Sequence, residues 1–108
     1  MVTAAAISQL ARILGREEFS HRLSTAVGQE SPSLTPSQLA LVHGLAQENL
    51  QRLTDALLEE ALANDDILDA AAADAYLEER LAFFAELLTE EQRDAIRQKY
   101  HAVTAQWA

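Results

Sequence analysis

Residues 88–93 read LTEEQR and residues 34–39 read LTPSQL, so the spacing Leu-Thr-x-x-Gln occurs twice in a chain of 108 residues. This spacing predicts a capping box at the start of a helix. The threonine hydroxyl accepts a hydrogen bond from a first-turn backbone N–H, and the glutamine side chain accepts one from the N–H of the threonine. The motif residues are Leu34, Thr35 and Gln38 in the first copy and Leu88, Thr89 and Gln92 in the second. Each copy therefore predicts a helix that starts at a defined residue.

Apolar residues follow the first motif at helical spacing. From residue 36 to about 63 they recur at steps of three or four, which predicts one continuous helix. They are Leu39, Val42, Ala46, Leu50, Leu53, Leu57 and Ala61. A second helix is predicted over residues 67–88, with Asp65 and Asp66 as its caps, and a last helix from 90 to about 106. No segment has the alternating pattern of a strand.

The first 27 residues carry a further helical pattern that is interrupted. Ile7, Leu10 and Leu14 recur at helical spacing, but Gly15 follows them, and glycine weakens the interior of a helix. Residues 3–27 are therefore expected to form one bent helix or two short helices. The next stretch, residues 28–36, gathers Gly, Ser and both prolines of the chain, which predicts a loop.

These elements together predict a single all-α domain spanning residues 1–108. About four helices are expected: an N-terminal helix, bent or divided, a long antiparallel α-hairpin within residues 34–107, and a C-terminal helix. At about 1.5 Å per residue, the two arms of the hairpin would measure about 40 Å and about 34 Å. Arms of that length leave apolar surface uncovered, and a two-fold homodimer is the simplest cover.

Composition excludes several classes of protein. A hydrophobic content of 49% argues against disorder, and a formal net charge of −9 argues against nucleic acid and anionic lipid as partners. No apolar run approaches the roughly 20 residues that span a bilayer, so membrane insertion is not expected. The chain has no cysteine, and its first residues lack the pattern of an intact secretory signal. The compartment stays open: cytoplasmic, or periplasmic if a signal has been removed.

The arrangements of residues that usually carry catalysis are missing. The sequence has no cysteine nucleophile, no Gly-rich phosphate loop and no Gly-x-Ser-x-Gly elbow. Adjacent carboxylates, such as those of Glu59 and Glu60, point to different sides of a helix and do not form a catalytic pair. The sequence therefore predicts a protein that is not an enzyme and has no cofactor.

Metal binding is the first alternative. The candidate ligands are Glu17, His21, His43 and His101. Glu17 and His21 lie four residues apart and share a helical face that suits one ion, but the sequence has no HxxxH pair. Solvent-facing or hydrogen-bonded histidines are the preferred interpretation, so no metal site is predicted.

DNA binding is the second alternative. Residues 7–23 resemble the start of a helix-turn-helix, with Gly15 at the turn and three arginines able to meet phosphates. Glu17 and Glu18 in the second helix, together with the negative net charge, oppose this interpretation. A bent helix that packs on the hairpin is preferred.

A set of aromatic residues forms a candidate interface. Its members are Tyr76, Phe83, Phe84, Tyr100 and Trp107. At helical spacing such residues more often belong to a core or a dimer interface than to the lining of a ligand pocket. Trp107 is expected to hold the last helix against a neighbour.

The two motifs each open a helix, and an acidic turn and an Ala-rich helix lead into the second copy. In this arrangement residues 34–100 resemble the LTxxQ-motif family, which includes Spy-like and CpxP-like periplasmic chaperones and CnrX-like metal sensors. The resemblance implies about four helices in an extended hairpin, often a homodimer with a concave binding face, and no catalysis. The chain departs from the family in its acidity, since the chaperones typically have a basic cradle, and in having Met1 as its single methionine.

These observations lead to an expected function. We expect a non-enzymatic helical protein-binding module, chaperone-like or regulatory, that presents an apolar and acidic helical face to a protein partner or an unfolded polypeptide. The alternative is a metal-responsive sensor or regulatory domain. A purely structural subunit is a third hypothesis.

Overall fold

The computed structural model describes residues 4–15 and 34–107, and within these ranges it contains α-helices, one short 3-10 helix and no strand. The α-helices are α1 (Ala4–Ile13), α2 (Pro36–Glu48), α3 (Leu50–Ala63), α4 (Ala70–Phe84) and α5 (Glu90–Thr104), and the 3-10 helix is Ala85–Leu87. The all-α fold class is confirmed for the described part of the chain, and the five described helices are close to the expected number. The predicted helix over residues 3–27 is described only as far as Gly15; the rest of it lies outside the described residues.

The prediction of one helix over residues 36–63 is wrong, because the chain leaves the helical conformation at Asn49. This residue has φ −129° and ψ 27°, and it separates α2 from α3. Its backbone N–H donates to the carbonyl of Ala46 at 3.0 Å, and its side-chain Nδ2 donates to that of Leu45 at 2.8 Å. A side chain that bonds a nearby carbonyl competes with the helical ladder, which explains the break. The long antiparallel α-hairpin is therefore not confirmed.

α4 begins three residues later than predicted because a different aspartate caps it. The carboxylate of Asp69 accepts a hydrogen bond from the backbone N–H of Ala72 at 2.8 Å, whereas Asp65 and Asp66 lie in the preceding connection. An aspartate at the N-cap satisfies one of the unpaired N–H groups of the first turn. The Asp65 and Asp66 prediction is corrected accordingly.

α4 also ends earlier than predicted, at a residue with strained backbone. Ala85 has φ 46° and ψ −120°, on the side of the Ramachandran map where a Cβ atom crowds the backbone. The chain then makes the 3-10 helix and becomes extended at Leu88, whose φ is −122° and ψ 140°. This reversal places Thr89 at the start of α5.

Replacing Ala85 with glycine is expected to raise the free energy of unfolding by roughly 0.5–1 kcal/mol. Relief of strain of about 1–3 kcal/mol outweighs the added entropy of the unfolded chain, about 1 kcal/mol. Urea unfolding followed by far-UV circular dichroism measures the change. The matched control is Ala75→Gly at an exposed position within α4, which is expected to lower stability by about 1 kcal/mol. Equal losses in the two variants would contradict the strain at Ala85.

One hydrophobic core joins the described helices. Its large, fully buried side chains are Ile7, Leu10, Leu14, Leu53, Leu57, Leu77, Leu81, Phe84, Leu87, Leu88, Ile96 and Tyr100. α5 packs most extensively against α3 and then against α4. The hydroxyl of Tyr100 donates to the carbonyl of Ala73 at 2.7 Å, in the Ala-rich part of α4 where small side chains allow a close approach.

The turn after α1 contains Gly15 and contacts a cation from α3. Gly15 has φ 68°, a conformation that glycine adopts without strain. The Nη1 atom of Arg52 donates to the carbonyl of Leu14 at 3.1 Å, so a positive charge lies at the C-terminus of α1, where the helix dipole favours it. A Cβ atom at Gly15 would lie 3.1 Å from the same Nη1. Arg52 thus holds α1 against α3.

Candidate protein-binding surface

The first Leu-Thr-x-x-Gln motif is a capping box at the surface. The N–H of Thr35 donates to Oε1 of Gln38 at 2.9 Å, and the N–H of Gln38 donates to Oγ1 of Thr35 at 3.2 Å. Thr35 is exposed and Gln38 half-buried, while Leu34 packs against the core. The predicted helix start is confirmed, and the side-chain hydrogen bonds described for Thr35 and Gln38 stay within the motif.

The second motif has the same capping box but a different environment. The N–H of Thr89 donates to Oε1 of Gln92 at 3.0 Å, and the N–H of Gln92 donates to Oγ1 of Thr89 at 3.1 Å. Gln92 is 4% exposed. Its Nε2 also donates to the backbone carbonyl of His43 at 2.8 Å and to Oε1 of Gln47 at 3.2 Å. This motif therefore joins the start of α5 to α2.

The candidate metal ligands are not brought together in the described residues. Nε2 of His43 lies 2.7 Å from the carbonyl oxygen of Glu86, and Nε2 of His101 lies 3.6 Å from Oδ1 of Asp74. Residues 4–15 and 34–107 contain no group of three or more His, Cys, Asp and Glu side chains arranged to hold a metal ion. Glu17 and His21 lie outside the described residues.

The five aromatic residues proposed as an interface divide into two groups. Phe84 and Tyr100 are fully buried within the chain and belong to its core, so they are removed from the candidate interface. Tyr76, Phe83 and Trp107 are half-buried, and the last two pack against the core. Aromatic residues alone therefore do not define a binding surface here.

Burial affects the tyrosine hydroxyls. It raises the pKa of Tyr100 to about 12, with the carboxylate of Asp74 adding to the effect. Burial also raises the pKa of Tyr76, whose hydroxyl donates to Oε2 of Glu60 at 2.8 Å. Both tyrosines remain protonated near neutral pH, where they act as hydrogen-bond donors.

Arg80 links three helices near these groups. Its Nη2 donates to Oε1 of Gln9 on α1, and its Nε lies 3.4 Å from a carboxylate oxygen of Glu60 on α3. This Nε contact is an ion pair without the geometry of a hydrogen bond, since within the described residues Nε has no hydrogen-bond partner. The guanidinium also lies over the rings of Phe83 and Phe84, at 4.8 and 5.2 Å from their centroids. The cluster holds helices together.

A second ion pair joins α4 to α5. Nε and Nη2 of Arg97 each donate to Glu78 at 2.9 Å, and Nη1 donates to Asp94 at 2.7 Å. These hydrogen bonds lower the pKa of Glu78 and raise the pKa of Arg97. The Glu78 side chain is 51% exposed, so solvent screening leaves the pair a modest contribution to stability.

Hydrogen bonds establish that α4 and α5 run in opposite directions. Early residues of α4 meet late residues of α5: Thr104 Oγ1 donates to Asp74 at 3.1 Å. Later in α4, Glu78 meets Arg97, which lies earlier in α5. The last turn of α5 therefore lies at the end of the molecule where α3 connects to α4.

Exposed apolar side chains gather at this end. The large hydrophobic residues that are most exposed in the described chain are Leu68 at 84%, Leu62 at 71%, Leu41 at 43% and Val103 at 40%. Leu62 lies in the last turn of α3, Leu68 in the connection to α4 and Val103 in the last turn of α5. We call these three residues the apolar tip. Beside it, Ile67 and Trp107 are half-buried and pack against the core.

The apolar tip was not predicted from the sequence. Leu62 directly follows Ala61, the last residue of the buried stripe of α3, and therefore points away from the core. Leu68 lies in the aspartate-rich connection to α4, and Val103 lies in the last turn of α5. An apolar residue next to the stripe was the available signal for Leu62, but isolated exposed leucines are common. Only the fold places the three at one end.

The fold defines a small all-α domain, with polar clusters that connect helices and an apolar tip exposed to solvent. No described helix has the length and apolar character required to cross a membrane. Comparison of the chain with protein-family models, with curated proteins and with solved structures finds no match.

Proposed function

We propose that this protein is a non-enzymatic helical protein-binding module, chaperone-like or regulatory, of the kind that the resemblance to the LTxxQ-motif family implies. The observation that carries the proposal is the apolar tip, where Leu62 and Leu68 are 71% and 84% exposed. Exposed apolar side chains that lie together are typical of surfaces that bind other proteins. The ligand is accordingly a protein partner or an unfolded polypeptide that covers these side chains.

The polar clusters connect helices of the chain. Arg80 is engaged with Gln9, Glu60 and two aromatic rings, and Arg97 with two carboxylates. These contacts use the side chains to connect α1, α3, α4 and α5. The described residues contain no group that favours the metal-responsive alternative, so a single function is proposed.

A homodimer belongs to the same proposal. A second copy would cover apolar surface of the first, and a two-fold arrangement is the commonest solution in soluble proteins. Light scattering coupled to size-exclusion chromatography measures the mass directly. A mass near twice the 11.9 kDa of one chain supports the dimer, and a mass near 11.9 kDa contradicts it.

The double variant Leu62→Gln/Leu68→Gln is expected to lose the ability to protect an unfolded client protein from aggregation. A leucine buried in a complex contributes about 1.5–3 kcal/mol, so removal of both weakens binding by about 100-fold or more. Light scattering of a heat-aggregating reporter protein, with and without each variant, measures the protection. The unfolding midpoint of the variant should match that of the parent, because both side chains are largely exposed.

The control for this experiment is Leu41→Gln, which changes an exposed leucine of α2 outside the apolar tip. It is expected to protect the client as well as the parent chain does. Protection that survives in the double variant, or that is lost equally in the control, would contradict binding at the apolar tip.

A further inference from the structure

The charges of this protein are unevenly distributed along the chain. Residues 53–79 contain nine of the 17 Asp and Glu residues and none of the eight Lys and Arg residues. The rest of the chain contains eight acidic and eight basic residues, so it has no formal net charge. The entire net charge of −9 thus belongs to one segment, which comprises most of α3, the connection to α4 and the first part of α4.

Three carboxylates of this acidic segment lie close in sequence to Leu62 and Leu68. Asp65 and Asp66 are exposed in the connection that carries Leu68. Glu59 is exposed and lies three residues before Leu62, which puts the two side chains on neighbouring positions of the same helical face. We call Glu59, Asp65 and Asp66 the acidic rim.

The acidic rim differs from three other carboxylates of the segment, which have partners within the molecule. Glu60 contacts Arg80 and Tyr76, Glu78 binds Arg97, and Asp74 accepts from Thr104. No described cation pairs with a rim carboxylate, in residues 4–15 or 34–107. Within the part of the chain that the structure describes, the negative charge of the rim is therefore not offset by an ion pair.

We infer that the segment that binds the apolar tip is a cationic amphipathic stretch of polypeptide, with apolar side chains on Leu62 and Leu68 and Lys or Arg on the acidic rim. The inference rests on the proposed function and specifies its ligand. Apolar contacts supply most of the affinity at such a surface, while opposite charges around it select the partner and speed association. Nucleic acid and anionic lipid present the same sign of charge as the rim and are repelled.

A set of three peptides tests the inference with the full chain. The peptides are about 18 residues long, with identical leucines at helical spacing and with Lys, Gln or Glu at all polar positions. Fluorescence anisotropy at about 50 mM and about 500 mM NaCl measures binding. The Lys peptide is expected to bind about tenfold tighter than the Gln peptide at low salt, and the difference should shrink at high salt. The Glu peptide should bind most weakly.

Two triple variants with equal changes in charge test whether the rim carboxylates attract the Lys peptide. The rim variant is Glu59→Gln/Asp65→Asn/Asp66→Asn. The control is Glu48→Gln/Glu90→Gln/Glu91→Gln, which changes exposed carboxylates where the end of α2 meets the start of α5, away from the apolar tip. The rim variant should lose about tenfold in affinity for the Lys peptide, and the control less than about twofold.

The outcomes separate this inference from the proposed function. Equal binding of the Lys and Gln peptides, or equal losses in the two triple variants, overturns the cationic ligand and leaves the apolar binding function intact. Failure of all three peptides to bind, together with failure to protect a client, overturns both. A parent dimer that becomes monomeric in Leu62→Gln/Leu68→Gln assigns the apolar tip to a second copy of the chain and also overturns the inference.

Discussion

Replacement of Gln92 by alanine is expected to lower the free energy of unfolding by about 2–3 kcal/mol, whereas Gln38→Ala should lower it by about 0.5–1 kcal/mol. Both glutamines occupy the same position of a capping box. Only Gln92 is buried, and only its side chain also donates to α2, through the carbonyl of His43 and Oε1 of Gln47. Removal of Gln92 leaves these two acceptors and the N–H of Thr89 without their partner.

Urea unfolding of the two variants, followed by circular dichroism and by the fluorescence of Trp107, measures this difference. Gln38→Ala and Gln92→Ala both remove a capping box, so the difference between the two variants excludes the effect of the capping box itself. A third variant, Gln92→Glu, keeps the acceptor for Thr89 but cannot donate to α2, so its stability should fall between those of the parent and Gln92→Ala. Equal losses in Gln38→Ala and Gln92→Ala would contradict the role of Gln92 as a joint between helices.

The second large effect is expected in alkaline solution. Burial raises the pKa of Tyr100 from 10.0 to about 12, so between these values the folded chain keeps a proton that the unfolded chain has lost. The contribution of Tyr100 to the free energy of unfolding is therefore fully present below about pH 10. It is lost as the pH rises toward 12. A rise in the pKa from 10.0 to about 12 corresponds to a loss of about 2–3 kcal/mol of stability across this pH range. Tyr76, whose pKa is also raised, contributes in the same direction.

Tyr100→Phe isolates the part of the loss that belongs to this residue. Near neutral pH the variant should be about 1 kcal/mol less stable than the parent, because it lacks the hydrogen bond to the carbonyl of Ala73. Above pH 10 the parent loses stability faster, so the two curves should cross before pH 12. Urea unfolding at a series of pH values measures both curves, with Tyr76→Phe as the comparison. Parallel curves would show that Tyr100 is not protected from ionisation.

Local features of the fold were predictable from the sequence, whereas the ends of two helices were not. The helix starts at Thr35 and Thr89 depend on contacts between residues three apart, which the sequence specifies directly. The break at Asn49 leaves the apolar spacing unchanged, and Ala85 adopts a conformation that its residue type disfavours. At Asn49 a local hydrogen bond from the side chain to Leu45 competes with the helix, and at Ala85 the surrounding structure outweighs the preference of the residue.

Some properties of the candidate surface were likewise predictable from the sequence, and others depend on the fold. The acidic character of residues 53–79 is a property of composition, and the sequence contains it in full. The exposure of Leu62 and Leu68 depends on how the helices pack around the core. The position of Val103 at the same end depends on the antiparallel pairing of α4 and α5. The aromatic residues were a poor guide, because Phe84 and Tyr100 fill the core.

The sequence by itself determined that the described chain is helical, where α2 and α5 begin and how strongly one segment is charged, because each follows from neighbours within about one helical turn or from composition. Only the tertiary structure decided that Gln92 joins α5 to α2 while Gln38 stays at the surface. It also decided which leucines the core leaves exposed beside the acidic rim. Both depend on how distant helices pack, and a periodic pattern does not specify which helix lies against which.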